Sequence, residues 1–71
     1  MSGSVYRVTE VIGTSSESWA KAAANAVETA SRSVRDLRVA EATRFDVTIQ
    51  DGKVAEYRVR LDISFKYEPS E

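Results

Sequence analysis

Three observations in this 71-residue chain predict an α+β fold of order β-α-β-β, with a three-stranded antiparallel sheet wrapped around one helix. "EYRVRLDISFKYE", residues 56–68, sets Tyr57, Val59, Leu61, Ile63, Phe65 and Tyr67 against Arg58, Arg60, Asp62, Ser64, Lys66 and Glu68. Such alternation makes a strand, because successive side chains point to opposite faces of a sheet. Asp51-Gly52 is the pair that a two-residue type I′ hairpin demands, because both central residues need positive φ. Positions 20, 23, 27, 30, 34 and 37 are Ala, Ala, Val, Ala, Val and Leu, a spacing that draws one apolar stripe down a helix.

The first strand is "VYRVTEVI", residues 5–12, rich in β-branched residues, and Gly13 is expected to end it. Thr14 with Glu17 reads as a capping box, in which hydroxyl and carboxylate each satisfy an orphan amide, so the helix is expected to begin there. Carried to the end of the apolar stripe, that helix is about 23 residues long. Small side chains in the stripe let the helix axis sit close to the sheet. Lys21, Asn25, Glu28, Arg32 and Arg35 fall on the solvent side, with Glu28 and Arg32 at the i, i+4 spacing. Trp19 at the stripe's edge reads as a packing anchor that needs one partner for its indole N–H, and not as a cofactor residue.

The second strand spans about Val39 to Ile49 and is the antiparallel neighbour of the third. Gln50 opposite Lys53 sets Phe45 against Arg58, Thr43 against Arg60, Glu41 against Asp62 and Val39 against Ser64. One conflict follows. Ala40 and Ala42 share the helix-side face with Leu61 and Ile63, yet Arg44 and Asp46 would then follow them, while Phe45, Val47 and Ile49 carry the opposite apolar parity. A bulge near residues 43–45, or a hairpin tip that projects past the helix into a neighbouring subunit, resolves it. One helix covers one face of the sheet, so the far face, the apolar tip and the outer edges call for self-association.

Composition narrows the function. A chain this short reads as a single domain, 1–71, and buries only about 60% of its unfolded surface. It has no cysteine and no histidine, which removes disulfides, thiolate chemistry, the commonest metal ligand and the commonest general base. Ten basic and eleven acidic residues leave a formal net charge of −1, so no basic field invites nucleic acid. Neither a signal-peptide run nor a stretch approaching the roughly 18 apolar residues of a membrane span is found, and a cytoplasmic protein is expected. Glu41 and Asp62 could mimic an acid/base pair, but the open, charge-mixed face on which they lie does not suit a general acid, so an enzyme is not expected.

"VYRVTEVIGTSSES", the alanine-rich helix, "RDLRVAEA" and "DGKVAEYRVRLDISFK" resemble the dodecin family from Val5 to Glu68. The resemblance implies a homododecamer, a hollow shell with helices outward and polar sheet faces lining the interior and the ligand pockets. It also implies sequestration of a small ligand, usually a flavin, held by a stacked tryptophan, a glutamine and basic residues that hold phosphate-bearing ligands.

In those cofactor-binding places this chain carries Val39, Arg58 and Asp46, and only Lys66 keeps a positive charge. Valine offers no π face, so a stacking contribution of roughly 0.5–1.5 kcal/mol per aromatic pair is missing and weak binding of riboflavin or FMN is expected. "SW" early in the helix, "VA" in the tryptophan's place and "YR" on the third strand look like the calcium dodecin branch, which implies calcium as the ligand. Glu41 opposite Asp62 is a like-charge cross-strand pair costing roughly 0.2–1 kcal/mol unless a positive group intervenes. A calcium ion could intervene, as could Arg60, diagonal to Glu41. "DGK" lacks the acidic ladder of an EF-hand loop. The expected function is a non-enzymatic shell that binds or stores calcium or a small ligand, with flavin or coenzyme A binding as the alternative.

Overall fold

The computed structural model describes residues 3–67. Strand β1 (Tyr6–Ser15) leads to helix α1 (Trp19–Ala30), followed by β2 (Leu37–Gln50) and β3 (Lys53–Lys66). The sheet is antiparallel with order β1-β3-β2, so the alternating third strand lies in the middle. Its apolar residues make the core: Val59, Leu61 and Ile63 are fully buried with Ala22 and Ala26 of the helix, and Val11, Ala23, Val27, Ala30 and Leu37 pack around them. Burying each of the three β3 side chains contributes roughly 1.5–3 kcal/mol.

The hairpin forms as its turn pair predicts. Asp51 and Gly52 both have positive φ, 55° and 75°, and Gln50 pairs with Lys53. Glu41 opposite Asp62 and Val39 opposite Ser64 also hold. Between those ends the expected register is corrected, because Phe45 faces Val59 and Asp46, not Phe45, faces Arg58. Two bulges account for this. Ala55 is an extra residue on β3 opposite the Thr48–Ile49 step, and Thr43 is an extra residue on β2 between Ala42 and Arg44, so Thr43 has no partner and Arg44 faces Arg60. The second bulge reverses the first, and the Thr43 hydroxyl fastens it by donating to the Arg60 carbonyl at 3.2 Å. Ala40, Ala42, Phe45 and Val47 thereby all reach the helix side, while Arg44 and Asp46 reach the far side. The projecting tip is present too. Strands of 14 residues extend about 46 Å against about 18 Å for the 12-residue helix, and the molecule measures 56 × 20 × 15 Å.

Three expectations for β1 and α1 are corrected. Gly13 does not end β1. It pairs with Val59 inside the strand, and a Cβ there would meet the Ala22 carbonyl oxygen and, at 2.8 Å, the Ala26 Cβ. Here glycine serves close approach of helix and sheet, with no turn involved.

Thr14 is therefore still in a strand, and the helix cap is Ser18, whose Oγ accepts from the Lys21 amide at 3.0 Å. Glu17 precedes the cap and lies 3.9 Å from Lys21. The helix has 12 residues, not about 23. It ends where Ser31 and Ser33 turn their hydroxyls back to the Glu28 and Ala30 carbonyls, at 2.7 and 3.4 Å, competition with the backbone that serine favours at helix ends. Arg32 falls beyond the last turn, and the deepest contacts belong to Ala22 and Ala26, with Ala20 exposed. Glu68 lies outside the described residues.

Candidate functional site

The far face of the sheet, away from the helix, carries all six residues singled out from the sequence. Residues directly opposite on neighbouring strands share a face, so the β1-β3-β2 pairing orders this face into rows across the sheet. From the hairpin end they are Thr14–Arg58–Asp46, Ile12–Arg60–Arg44, Glu10–Asp62–Glu41 and Val8–Ser64–Val39, followed by Tyr6 beside Lys66.

In the first row Arg58 clamps Asp46 with both arms of its guanidinium, Nε to Oδ1 at 2.7 Å and a terminal nitrogen to Oδ2 at 2.9 Å. The hydrogen-bonded Arg58 holds the Asp46 carboxyl below its ordinary value, helped by the charges of Arg44 and Arg60, and Asp46 in turn pushes Arg58 up. The backbone of Asp46 is held from the other side, because its carbonyl accepts the Trp19 indole N–H at 3.0 Å. Trp19 is thus the expected packing anchor, set edge-on to Tyr57 at 5.1 Å and Phe45 at 6.0 Å between ring centroids. It stands on the helix side, opposite the face where the candidate ligand residues lie.

In the third row the acidic pair Glu41–Asp62 gains a third carboxylate, Glu10, across the other edge of β3. Sequence reasoning missed Glu10. Its parity on β1 was legible, but no tight turn fixes the offset of β1 against β3. Arg60, the alternative to a cation beside Glu41, has its Nε 3.8 Å from Glu10 Oε2 instead, buried without a hydrogen-bond partner. Oxygen donors of this kind suit a hard cation such as calcium. Among the described residues, however, no three acidic side chains converge closely enough to hold a metal ion on their own.

Val39 is 62% exposed and aliphatic beside Val8 and Ser64, whose hydroxyl donates to the Val39 carbonyl at 3.3 Å. Arg58 and Asp46 are hydrogen-bonded to each other. Lys66 sits two residues beyond Ser64 at the end of β3, its amide donating to the Asp36 carbonyl at 3.3 Å.

Comparison with known proteins agrees with this geometry over nearly the whole chain. The dodecin family model matches residues 5–68. The calcium dodecin of Mycobacterium tuberculosis is 44% identical over 68 residues, 96% of each chain. Among solved structures, dodecin from Streptomyces coelicolor superposes with a TM-score of 0.92 at 44% identity, covering 99% of this chain and 100% of its own. The Mycobacterium tuberculosis calcium dodecin structure, described as a calcium-chelating antigen with a novel calcium-binding site, gives a TM-score of 0.82 at 46% identity, covering 96% of this chain and 97% of its own. With the β-α-β-β order, the antiparallel sheet and the helix packed on it all shared, the chain belongs to the dodecin family.

Proposed function

We propose that this protein is a non-enzymatic calcium-binding member of its family, acting as a self-assembled shell whose inward sheet face carries the cation. The observation that carries this reading is the row Glu10–Asp62–Glu41, three carboxylates side by side on neighbouring strands. Adjacent negative charges repel, and a divalent cation relieves that repulsion while tying β2 to β3. Glu41 and Asp62 are the protein ligands; water or a symmetry-related copy supplies the remaining oxygens of a six- to eight-coordinate site. The calcium named for the Mycobacterium tuberculosis relative supports the choice of ion.

Calcium should raise the melting temperature, because a ligand that binds only the folded form stabilises it by mass action. Glu41→Gln and Asp62→Asn should each remove that rise while leaving the assembly size unchanged. A calorimetric titration without calcium heat, or a melting shift that survives both substitutions, would overturn the reading.

The second reading, binding of flavin or coenzyme A, rests on Val39, Asp46, Arg58 and Lys66 lying on the same face as the acidic row. Titration of riboflavin by fluorescence quenching separates the two, since submicromolar binding by the unmodified protein would favour the second.

A further inference from the structure

The second row of the far face, Ile12–Arg60–Arg44, takes no part in the proposed cation site. The Thr43 bulge places Arg44 directly across from Arg60, and like charges at opposed cross-strand positions destabilise a sheet. The row contains no anion, because its third member is the half-exposed Ile12. Nearby carboxylates do not make up for it. Asp46 gives its two hydrogen bonds to Arg58 and meets Arg44 and Arg60 only through longer-range charge attraction, and the Glu10–Arg60 ion pair at 3.8 Å is beyond hydrogen-bond reach. Arg60 Nε is buried with no acceptor, and Arg44 makes no ion pair among the described residues.

We propose that Arg44 and Arg60 together bind a compact oxyanion, inorganic phosphate or the phosphate group of a monoester, that bridges their guanidinium groups. Two guanidinium groups carried at opposed positions on one face suit a tetrahedral dianion, whose oxygens accept charge-assisted hydrogen bonds from both and cancel their mutual repulsion. A cation on the neighbouring acidic row would favour the anion further, and by linkage the anion would favour the cation to the same degree.

The test is thermal melting of the assembled protein in phosphate against chloride at matched ionic strength, once in a calcium chelator and once in calcium. Phosphate should raise the melting temperature in at least one of the two buffers. Arg44→Gln or Arg60→Gln should weaken apparent phosphate affinity at least about tenfold, as expected when charge-assisted hydrogen bonds are lost. Without phosphate, Arg44→Gln should melt no lower than the parent, because it relieves a like-charge pair. Arg35→Gln, in the exposed loop before β2, should leave the phosphate effect intact.

Glycerol 2-phosphate separates the sources: an equal effect assigns a phosphomonoester site, and an effect confined to inorganic phosphate assigns the free anion. No phosphate shift in either buffer, or a shift unchanged in Arg44→Gln and Arg60→Gln, overturns the proposal. Because a shift in the chelator does not depend on calcium, it can succeed where the cation site fails.

Discussion

At the scale of single residues, Gly13 and Asp46 hold the two sides of the sheet in place. A methyl group at Gly13 would run into the Ala22 carbonyl oxygen, a backbone atom that cannot swing aside, so the helix must lift from β1. Gly13→Ala should therefore lower stability by about 2 kcal/mol or more, an overpacking cost read from denaturant melts.

Asp46 carries the pH dependence. Arg58 depresses its folded-state carboxyl below the ordinary 3.8, so the stabilisation from the pair is fully present above that value and lost as pH falls through the depressed one. Arg58, pushed upward, stays charged throughout. Because both side chains are more than a third exposed, at 38% and 40%, water screens the pair and the effect is modest. Asp46→Asn should melt below the parent at neutral pH, and the gap should close under acid conditions well below the ordinary carboxylate value. A gap that stays constant with pH would show that Asp46 acts through its shape alone.

At the scale of elements, the bulge at Thr43 decides which β2 side chains meet the helix. It is a true insertion: removing Thr43 leaves Ala42 opposite Leu61 and Arg44 opposite Arg60, with every side chain on its present face. Deleting Thr43 should leave a folded hairpin that loses mainly one hydroxyl hydrogen bond, worth about 1 kcal/mol. Deleting Val47 should do far more harm. The bulge residue can then rejoin the ladder, but Arg44 moves against Val59 on the helix side and Phe45 onto the far face. Circular dichroism melts of the two deletions should differ widely, and equal melts would show that the bulge does not set the parity.

At the scale of the whole molecule, the hairpin is longer than its own helix can cover. Ile49 and Val54 are 70% and 51% exposed at the projecting end, Phe45 beside Trp19 is 57% exposed, and both sheet edges are open because only β3 has strand neighbours on two sides. Apolar surface of this kind and unpaired edges call for further copies of the chain. A particle of about twelve subunits is expected by light scattering, with the closed symmetry usual for homo-oligomers. Phe45→Asp should break it into smaller species. A monomer at micromolar concentration would sink the shell, while an unchanged particle size for Phe45→Asp would place Phe45 within the subunit's own core beside Trp19.

Local chemistry made several features legible in the amino-acid order: the alternating β3, the Asp51-Gly52 hairpin, Glu41 opposite Asp62, a parity conflict in β2 that a bulge at residues 43–45 or a projecting tip would resolve, and the anchoring role of Trp19. Most depend on nearest neighbours along a chain or on a turn that ties two strands together, whereas Glu41 meets Asp62 only because the Thr43 bulge cancels the slip at Ala55. The same reasoning placed the cap at Thr14 and prolonged the helix through "SRSVRDL", because periodicity cannot tell a helix face from an apolar loop that packs on the same core. Tertiary structure alone decided that Gly13 lies in the sheet beneath Ala22, that Glu10 joins the acidic row, and that Arg44 faces Arg60. Those facts depend on the offset between strands that no short turn links, and on two compensating bulges. The helix and the core of β3 select that offset together, because a one-residue slip would turn Val11 and Gly13 away from the helix that packs over them.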